Sequence, residues 1–244
     1  MNDKIFRDPI MSISVSIIVG AIIIAGSILW AGGHFSPGIT TNNNGVVTAP
    51  SQPTNPTVDG SKVKTAGEPF VGNPNAKITL AYWFDYQCPF CKQNEQSVIP
   101  SIVSDYVNSG KVKIVFKDFA FLGPDSTTLA INERAVWDVD QSKFYAWHKA
   151  IFDNQGQEGS GWASTQTKID AITTQVLGAT ETARVDGLVI SKANTYTAEI
   201  NADKTEGAAF GVTGTPSIVV GKQLIVGAEP YSNIKSAIDA ALGL

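Results

Sequence analysis

Two cysteines are the residues of this chain whose type and spacing point most directly to chemistry. They stand in the sequence Cys88-Pro89-Phe90-Cys91 and are the only cysteines among 244 residues. Two thiols three positions apart can open and close a disulfide reversibly, and the exchange passes through a mixed disulfide with a second molecule. The motif therefore predicts thiol–disulfide exchange.

The working species of such a site is a thiolate, so one cysteine needs a lowered pKa. Pro89 suits the first position of a helix, where its missing N–H has no partner to lose. Cys88 is then expected at the helix N-terminus, facing unpaired N–H groups and the positive end of the helix dipole. Cys91 follows one turn later. We expect Cys88 to be the exposed attacking thiol and Cys91 the buried resolving thiol.

Two other uses of a cysteine pair remain open at this point. A zinc site usually needs four ligands, and only His34 and His148 are available to join the cysteines. His148 follows Phe144 and Trp147 on a predicted helix, where we expect it to pack. A permanent disulfide is the other alternative, but one that closes so short a loop stabilises little. The sequence predicts no metal site and no cofactor beyond a redox-active Cys88–Cys91 disulfide.

The N-terminal part of the chain contains a segment of membrane-spanning length. Residues 10–33 carry no charge, and about 20 apolar residues cross a bilayer as a helix. We predict an uncleaved transmembrane anchor there. The small residues at 31–33 leave signal cleavage open, which would give a secreted or periplasmic protein instead.

The positive charges around this segment predict its orientation. Lys4 and Arg7 precede it, and the next basic residue is Lys62. Because Lys and Arg are retained on the cytoplasmic side, residues 1–9 are expected in the cytoplasm and everything after residue 33 outside the cell membrane.

The rest of the chain has the composition of one folded domain on a tether. Residues 34–65 are predicted to be a flexible linker, since Thr, Asn, Pro and Gly dominate its beginning. Residues 66–244 are long enough for a domain with its own core. The formal net charge is −4 and no basic cluster stands out, so nucleic acid is not an expected partner.

The pattern of apolar residues predicts a mixed α/β domain. Lys77–Phe84 and Lys111–Phe119 are predicted strands, joined by a helix from Cys88 to about Asn108 that Pro100 should kink. Such a βαβ unit makes the two strands parallel with a right-handed crossover. We expect the pair Lys117-Asp118 to be a solvated strand end.

The second half of the domain is predicted to begin with helices. Residues from about 124 to 210 show helical periodicity and no convincing strand. A hairpin is then predicted from Thr215–Val220 and Gln223–Val226, around Gly221-Lys222, and Tyr231–Leu242 is predicted to be a final helix.

Several stretches together resemble the DsbA-like branch of the thioredoxin-fold oxidoreductases. The resemblance covers roughly residues 66–242, and the stretches that carry it are Gly72 to Ala76, Asp85 to Cys91, Lys143 to His148 and Gly211 to Pro216. It implies an α/β thioredoxin fold with an inserted helical domain at about 124–210, here preceded by one N-terminal transmembrane helix. It also implies a cis peptide bond at Pro216, which would face the dithiol, with Thr215 offering backbone groups to a bound peptide.

The same resemblance implies an activity and partners. Cysteine pairs of exported proteins would be the substrates, and a quinone-linked membrane oxidase would restore the disulfide. Disulfide isomerisation or reduction remains an alternative, as does a peptide-binding, chaperone-like module.

Pro89, Phe90 and Asp85 are the residues expected to tune the thiolate. Many DsbA-like proteins have His where this chain has Phe90, and Phe can neither donate a hydrogen bond nor carry a charge. We therefore expect a weaker oxidant. Asp85 is expected either to relay a proton, and to add negative charge near the thiols, or simply to start a turn.

Overall fold

The computed structural model of the protein describes residues 57–244, which form a mixed five-stranded sheet with helices around it. The strand order is β1-β3-β2-β4-β5, and the strands are β1 (Phe70–Val71), β2 (Ile78–Phe84), β3 (Val112–Asp118), β4 (Ser217–Val220) and β5 (Gln223–Val226). β2 and β3 are parallel, and the other neighbouring pairs are antiparallel. The predicted parallel pair and hairpin are confirmed, whereas β1 was missed.

Seven α-helices accompany the sheet in the described part of the chain. They are α1 (Pro89–Ile102), α2 (Pro124–Val139), α3 (Phe144–Asp153), α4 (Gln166–Leu177), α5 (Ala179–Ser191), α6 (Ala193–Phe210) and α7 (Tyr231–Leu242). Helices α2 to α6 follow one another between β3 and β4 without an intervening strand in that described stretch. A thioredoxin fold with a helical insertion is therefore confirmed.

The central strand β2 is buried on both faces because apolar side chains follow one another along it and so project to both sides of the sheet. Tyr82 and Phe84 point into the core cluster that also contains residues of α1 and α3, while Trp83 points into a second cluster on the opposite face. Successive side chains of a strand face opposite sides of the sheet. A Cβ on Gly207 of α6 would lie 2.8 Å from the Trp83 indole nitrogen, so this glycine lets α6 pack closely against the strand.

Helix α1 carries Pro100 in its interior, as the sequence predicts, and its hydrogen-bond pattern changes soon afterwards. The α-helix ends at Ile102 and continues as a π-helix over Val103–Val107. Proline lacks the N–H that would continue the i→i−4 ladder. The irregularity lies at the end of α1 remote from the cysteines, so the turns that carry Cys88 and Cys91 are undisturbed.

The predicted linker extends too far toward the domain. The N–H of Val58 donates to the carbonyl of Lys222 at 3.0 Å, that of Gly60 donates to Gly221 at 2.8 Å, and Val63 is buried. Residues 57–65 thus belong to the folded domain because their backbone hydrogen bonds are made by the β4–β5 turn. The predicted cytoplasmic segment 1–9, the anchor 10–33 and linker residues 34–56 lie outside the described residues, among which no helix is both long and apolar enough to cross a bilayer.

A buried charge cluster corrects the expectation that Lys117-Asp118 is a solvated strand end. Lys117 is fully buried, and its Nζ lies 2.9 Å from Asp203 and 3.1 Å from Glu68. The Arg134 guanidinium lies 2.7 Å from Glu68 and donates from Nε to Asp118 at 2.9 Å. It also pairs with Asp203. The cluster joins β3 to two inserted helices, α2 and α6, that cover the strand end.

Candidate active site

The two cysteines lie where β2 ends and α1 begins. Cys88 is the N-cap of α1, with φ −70° and ψ 120°, and Pro89 occupies the first helical turn. The N–H of Lys92 closes that turn by donating to the Cys88 carbonyl at 3.1 Å. The predicted position of Cys88 at a helix N-terminus is therefore confirmed, and its sulfur lies where backbone N–H groups and the helix dipole favour negative charge.

The exposure of the two thiols differs less than the sequence suggests. Both cysteines are free, Cys88 is 4% exposed and Cys91 is completely buried. The expectation of an exposed Cys88 was wrong in degree, because the Thr215 loop lies against its sulfur. The most exposed side chain of the motif is Phe90, at 59%. Cys88 is still the more accessible thiol of the pair.

The surroundings of the thiols drive their pKa values apart. The pKa of Cys88 is lowered from its ordinary 9.0 to about 6, first by hydrogen bonding from the Cys91 thiol and then by the Thr215 side chain and the N–H groups of Cys91 and Phe90, against the opposing effect of burial. Burial is the main cause that raises the pKa of Cys91 well above its ordinary value, and its partner Cys88 adds to this. At neutral pH the reduced site therefore holds one thiolate and one thiol.

The loop before β4 completes the dithiol site from the other side. The Thr215–Pro216 peptide bond is cis, as the resemblance implies, and the Cys88 thiol donates to the Thr215 carbonyl at 3.4 Å. Pairing of Ser217 with Trp83 of β2 brings this loop next to the cysteines. The Thr215 hydroxyl is buried and has no hydrogen-bond partner in the structure.

Asp85 is buried between the end of β2 and the loop after β3, and its carboxylate accepts four hydrogen bonds. The donors are the N–H groups of Gln87 (2.8 Å), Phe121 (2.9 Å) and Leu122 (3.0 Å) and the hydroxyl of Ser126 (2.7 Å). None of them is a cysteine. The geometry thus favours the turn-forming alternative for this side chain, which ties the two loops beside the dithiol together.

Two glutamines that the sequence analysis did not single out attach the inserted helical domain to the active-site loop. Gln155 donates to the carbonyls of Tyr86 at 2.7 Å and of Cys88 at 3.1 Å, while the Gln87 side-chain oxygen accepts from the N–H of Gly159 at 3.0 Å. Uncharged amides carry no signal of such a role in the sequence, because their partners lie far along the chain.

His148 is completely buried, as expected of a packing residue, and rings surround it, including those of Phe84, Phe116 and Phe152. Its Nδ1 lies 2.8 Å from the Tyr86 hydroxyl. Its other neighbour, which the sequence pattern does not reveal, is the buried carboxylate of Glu95 on α1, 3.2 Å from Nε2. Over residues 57–244, no three His, Cys, Asp or Glu side chains are grouped in a way that would hold a metal ion.

Comparison with known proteins assigns this dithiol fold to a family. The family model described as thioredoxin matches residues 64–240. The chain is 26% identical over 178 residues to disulfide bond formation protein D of Bacillus subtilis. The aligned region covers 72% of this chain and 78% of that protein.

Solved structures show the same fold. The oxidised BdbD structure from Bacillus subtilis superposes with a TM-score of 0.68 at 23% identity and covers 79% of this chain and all of its own. A periplasmic thioredoxin-like protein from Salmonella enterica serovar Typhimurium gives a TM-score of 0.60 at 25% identity, over 73% of this chain and 91% of that one. The chain belongs to the thioredoxin family and is a DsbA-like thiol–disulfide oxidoreductase.

Proposed function

We propose that this protein oxidises cysteine pairs of exported proteins, with Cys88 as the thiol that exchanges with substrate and Cys91 as the resolving thiol. A substrate thiolate attacks the Cys88 sulfur, the Cys88–Cys91 bond breaks, and a mixed disulfide forms. A second substrate thiol then attacks this bond, and Cys88 leaves as a thiolate. The substrate gains a disulfide and the protein keeps two electrons in its dithiol.

The observation that carries this proposal is the lowered pKa of Cys88, at about 6. A thiolate stabilised in the reduced state makes the disulfide more oxidising. A pKa about 3 units below the ordinary value stabilises the reduced state by about 1.4 kcal/mol at pH 7, which corresponds to about 30 mV for a two-electron couple. A low pKa also makes Cys88 the better leaving group, which favours release of oxidised substrate.

Thr215 and Pro216 are proposed to hold an extended substrate segment beside Cys88 through backbone contacts. Two large apolar side chains are exposed: Phe90 of the motif at 59%, and Phe121, whose N–H donates to Asp85, at 49%. Unfolded segments of exported proteins present apolar side chains that these rings would contact. The site thus suits a substrate that is not yet folded.

Reoxidation requires an acceptor for two electrons, and we propose a quinone-linked membrane oxidase in that role. The uncharged segment 10–33 supports placement of the domain outside the membrane that such an oxidase occupies. Full-length protein should sediment with membranes and resist carbonate extraction. A mature chain that begins near Gly33 would contradict the anchor but leave export intact.

The reduction potential, measured by equilibration with glutathione, is the decisive experiment on the direction of transfer. A potential above that of the glutathione pool supports oxidation of substrates, whereas a lower one supports the reductase or isomerase alternative. The Cys91→Ala variant should accumulate mixed disulfides with client proteins, and Cys88→Ala should not. Cys88→Ala should abolish disulfide exchange if the protein is an enzyme, whereas a peptide-binding module would retain its affinity for peptides in this variant.

A further inference from the structure

Four lysines meet at the end of the sheet that lies opposite the dithiol. One precedes β2, two lie at the start of β3, and the fourth lies in the turn between β4 and β5. They are Lys77, Lys111, Lys113 and Lys222. The N–H of Ile78 donates to the carbonyl of Lys111 at 3.2 Å, and Val220 pairs with Leu80, so the four positions lie side by side across neighbouring strands. These four lysines form the basic end of the domain.

The charges of the basic end are not balanced by carboxylates. None of its lysines belongs to an ion pair within residues 57–244. Lys77 and Lys113 donate to backbone carbonyls at 3.1 Å and 3.2 Å, which are neutral acceptors. Lys111 and Lys222 are exposed. The ammonium groups therefore present uncompensated positive charge to solvent.

The carboxylates near the basic end already have partners. Asp59 lies 3.8 Å from Lys62, and Lys235 donates to Asp239, so these two pairs cancel their own charges. Asp105 accepts a hydrogen bond from a tyrosine hydroxyl. Because the chain as a whole carries a formal net charge of −4, a surplus of positive charge at one end makes the domain electrically polar. The sequence shows no local cluster because these lysines lie far apart along it.

A cleft at the basic end offers donors that suit phosphate oxygens. Its volume is about 470 Å³, and Lys77 and Lys222 line it. The other polar side chains of its lining are those of Ser61, Thr65, Thr79 and Asp59. Ammonium groups and hydroxyls can donate hydrogen bonds to phosphate. The carboxylate of Asp59 is already occupied by the N–H and hydroxyl of Ser61, at 3.2 Å and 2.6 Å, so a phosphate group at this cleft would meet donors from both lysines.

The place where the chain enters the domain favours a lipid as the source of that phosphate. Thr57 pairs with Gln223, the residue after Lys222, so the chain enters at the basic end. Residues 34–56 separate this point from the uncharged segment 10–33, and a stretch of that length spans at most about 80 Å. A domain anchored by that segment keeps its basic end within reach of the membrane surface.

We propose that the basic end docks the domain on an anionic phospholipid surface. Each lysine near such a surface strengthens binding about 5-fold, and salt screens the attraction. The seven residues of β2 run from the basic end toward the dithiol, so docking holds the dithiol roughly 20 Å or more from the lipid. There it is open to exported chains. Docking of this kind rests on the export and anchoring proposed above, and it does not depend on the direction of electron transfer.

The test places a fluorescent probe at either end of the domain in the full-length protein, reconstituted in vesicles. In a variant without the two native cysteines, Asn75→Cys carries the probe at the basic end. Glu158→Cys carries it at the other end, where the N–H of Gly159 donates to Gln87. The vesicles contain phosphatidylglycerol or only phosphatidylcholine, with a quencher on a lipid headgroup. We expect quenching of the basic-end probe in phosphatidylglycerol vesicles at low salt, and little quenching of the other probe.

Lysine variants show whether the basic end causes the docking. Lys222→Gln should lower the ratio of docked to free domain about 5-fold, and Lys111→Gln combined with it about 30-fold. Lys168→Gln is the matched control, because this lysine is likewise exposed and outside the ion pairs of the described residues but lies on the inserted helix α4. It should leave the ratio unchanged. With its native cysteines, the double variant should exchange disulfides with a soluble dithiol peptide at the wild-type rate, and a slower reaction would attribute the lost quenching to a damaged fold and overturn the assignment.

Four other outcomes would contradict docking on lipid. Equal quenching of both probes would show that the domain is not oriented, and equal quenching in phosphatidylcholine would show that the tether alone holds it at the surface. An equal effect of Lys168→Gln would assign the attraction to overall charge. Absence of quenching in every vesicle would leave the basic end to a protein partner. Failure to sediment with vesicles at all contradicts the anchor, whereas sedimentation without quenching contradicts only the docking.

Discussion

Replacing Thr215 by valine tests how the loop before β4 sets the chemistry of the dithiol. Valine keeps the branched shape and removes only the hydroxyl, which is buried and has no hydrogen-bond partner in the structure. The Thr215 side chain is one of several donors that together lower the pKa of Cys88 from 9.0 to about 6. The variant should therefore raise this pKa.

The size of the effect follows from the number of donors. If the hydroxyl contributes one of the roughly three pKa units, its loss costs the thiolate about 1.4 kcal/mol, close to the lower end of values for hydrogen bonds to charged groups. The pKa of Cys88 would rise to about 7, and the thiolate fraction at pH 7 would fall from about nine-tenths to about half. At pH 7 the reduced state would lose about 1 kcal/mol of stabilisation, and the reduction potential would fall by about 20 mV.

Two measurements on the same protein check this reasoning. The thiolate absorbance of the reduced variant, titrated against pH, gives the Cys88 pKa, and equilibration with glutathione gives the potential. Thr213→Val is the matched control, since Thr213 lies exposed in the same loop. An unchanged pKa in Thr215→Val would show that the hydroxyl makes no contribution. A changed pKa with an unchanged potential would contradict the link between thiolate stability and oxidising power.

Three further predictions follow from the same geometry. Phe90→His should lower the Cys88 pKa and raise the potential by roughly 30–65 mV, toward the smaller figure because position 90 is exposed; if neither quantity moves, the helix N-terminus and backbone N–H groups suffice. Because the Cys91 pKa is raised and that of Cys88 is about 6, the potential should fall with increasing pH by about 60 mV per unit below pH 6 and about 30 mV per unit above it; one slope throughout would contradict these assignments. Arg134→Gln should lower the free energy of unfolding by about 3–5 kcal/mol by leaving buried carboxylates unpaired, against about 0.2–1 kcal/mol for the exposed pair lost in Arg184→Gln; equal small losses in urea denaturation would show that the buried cluster is not stabilising.

The local pattern of apolar residues predicted most of the fold, because the principal strands are long enough to display that pattern. Seven consecutive residues of β2 and of β3 carry apolar runs, and the hairpin has a glycine turn. The strand β1 has only two residues, too few for any periodicity. Its place at the sheet edge depends on pairing with β3, which lies outside any local window.

The residues of the candidate site and its surroundings also divide into those that local sequence predicts and those that it does not. The cysteines and the Thr215–Pro216 pair were predictable because their spacing and neighbours carry the signal. Lys117 was misjudged because a charged residue at the end of a strand normally meets solvent, and here helix α6 covers it with Asp203. No local feature reveals a partner so distant in sequence.

The way the chain enters the domain has a mechanical consequence. Residue 57 pairs with Gln223, next to the β4–β5 turn, whereas the dithiol lies beside Pro216 at the other end of β4. A strand rises about 3.3 Å per residue, so these two points are roughly 10 Å or more apart along β4. Tension applied to the chain at residue 57 would therefore act on the β4–β5 turn. It would not act directly on the loop that carries Thr215 and Pro216. A chain that holds the domain at residue 57 would leave Cys88, at the opposite end of β4, accessible to a substrate.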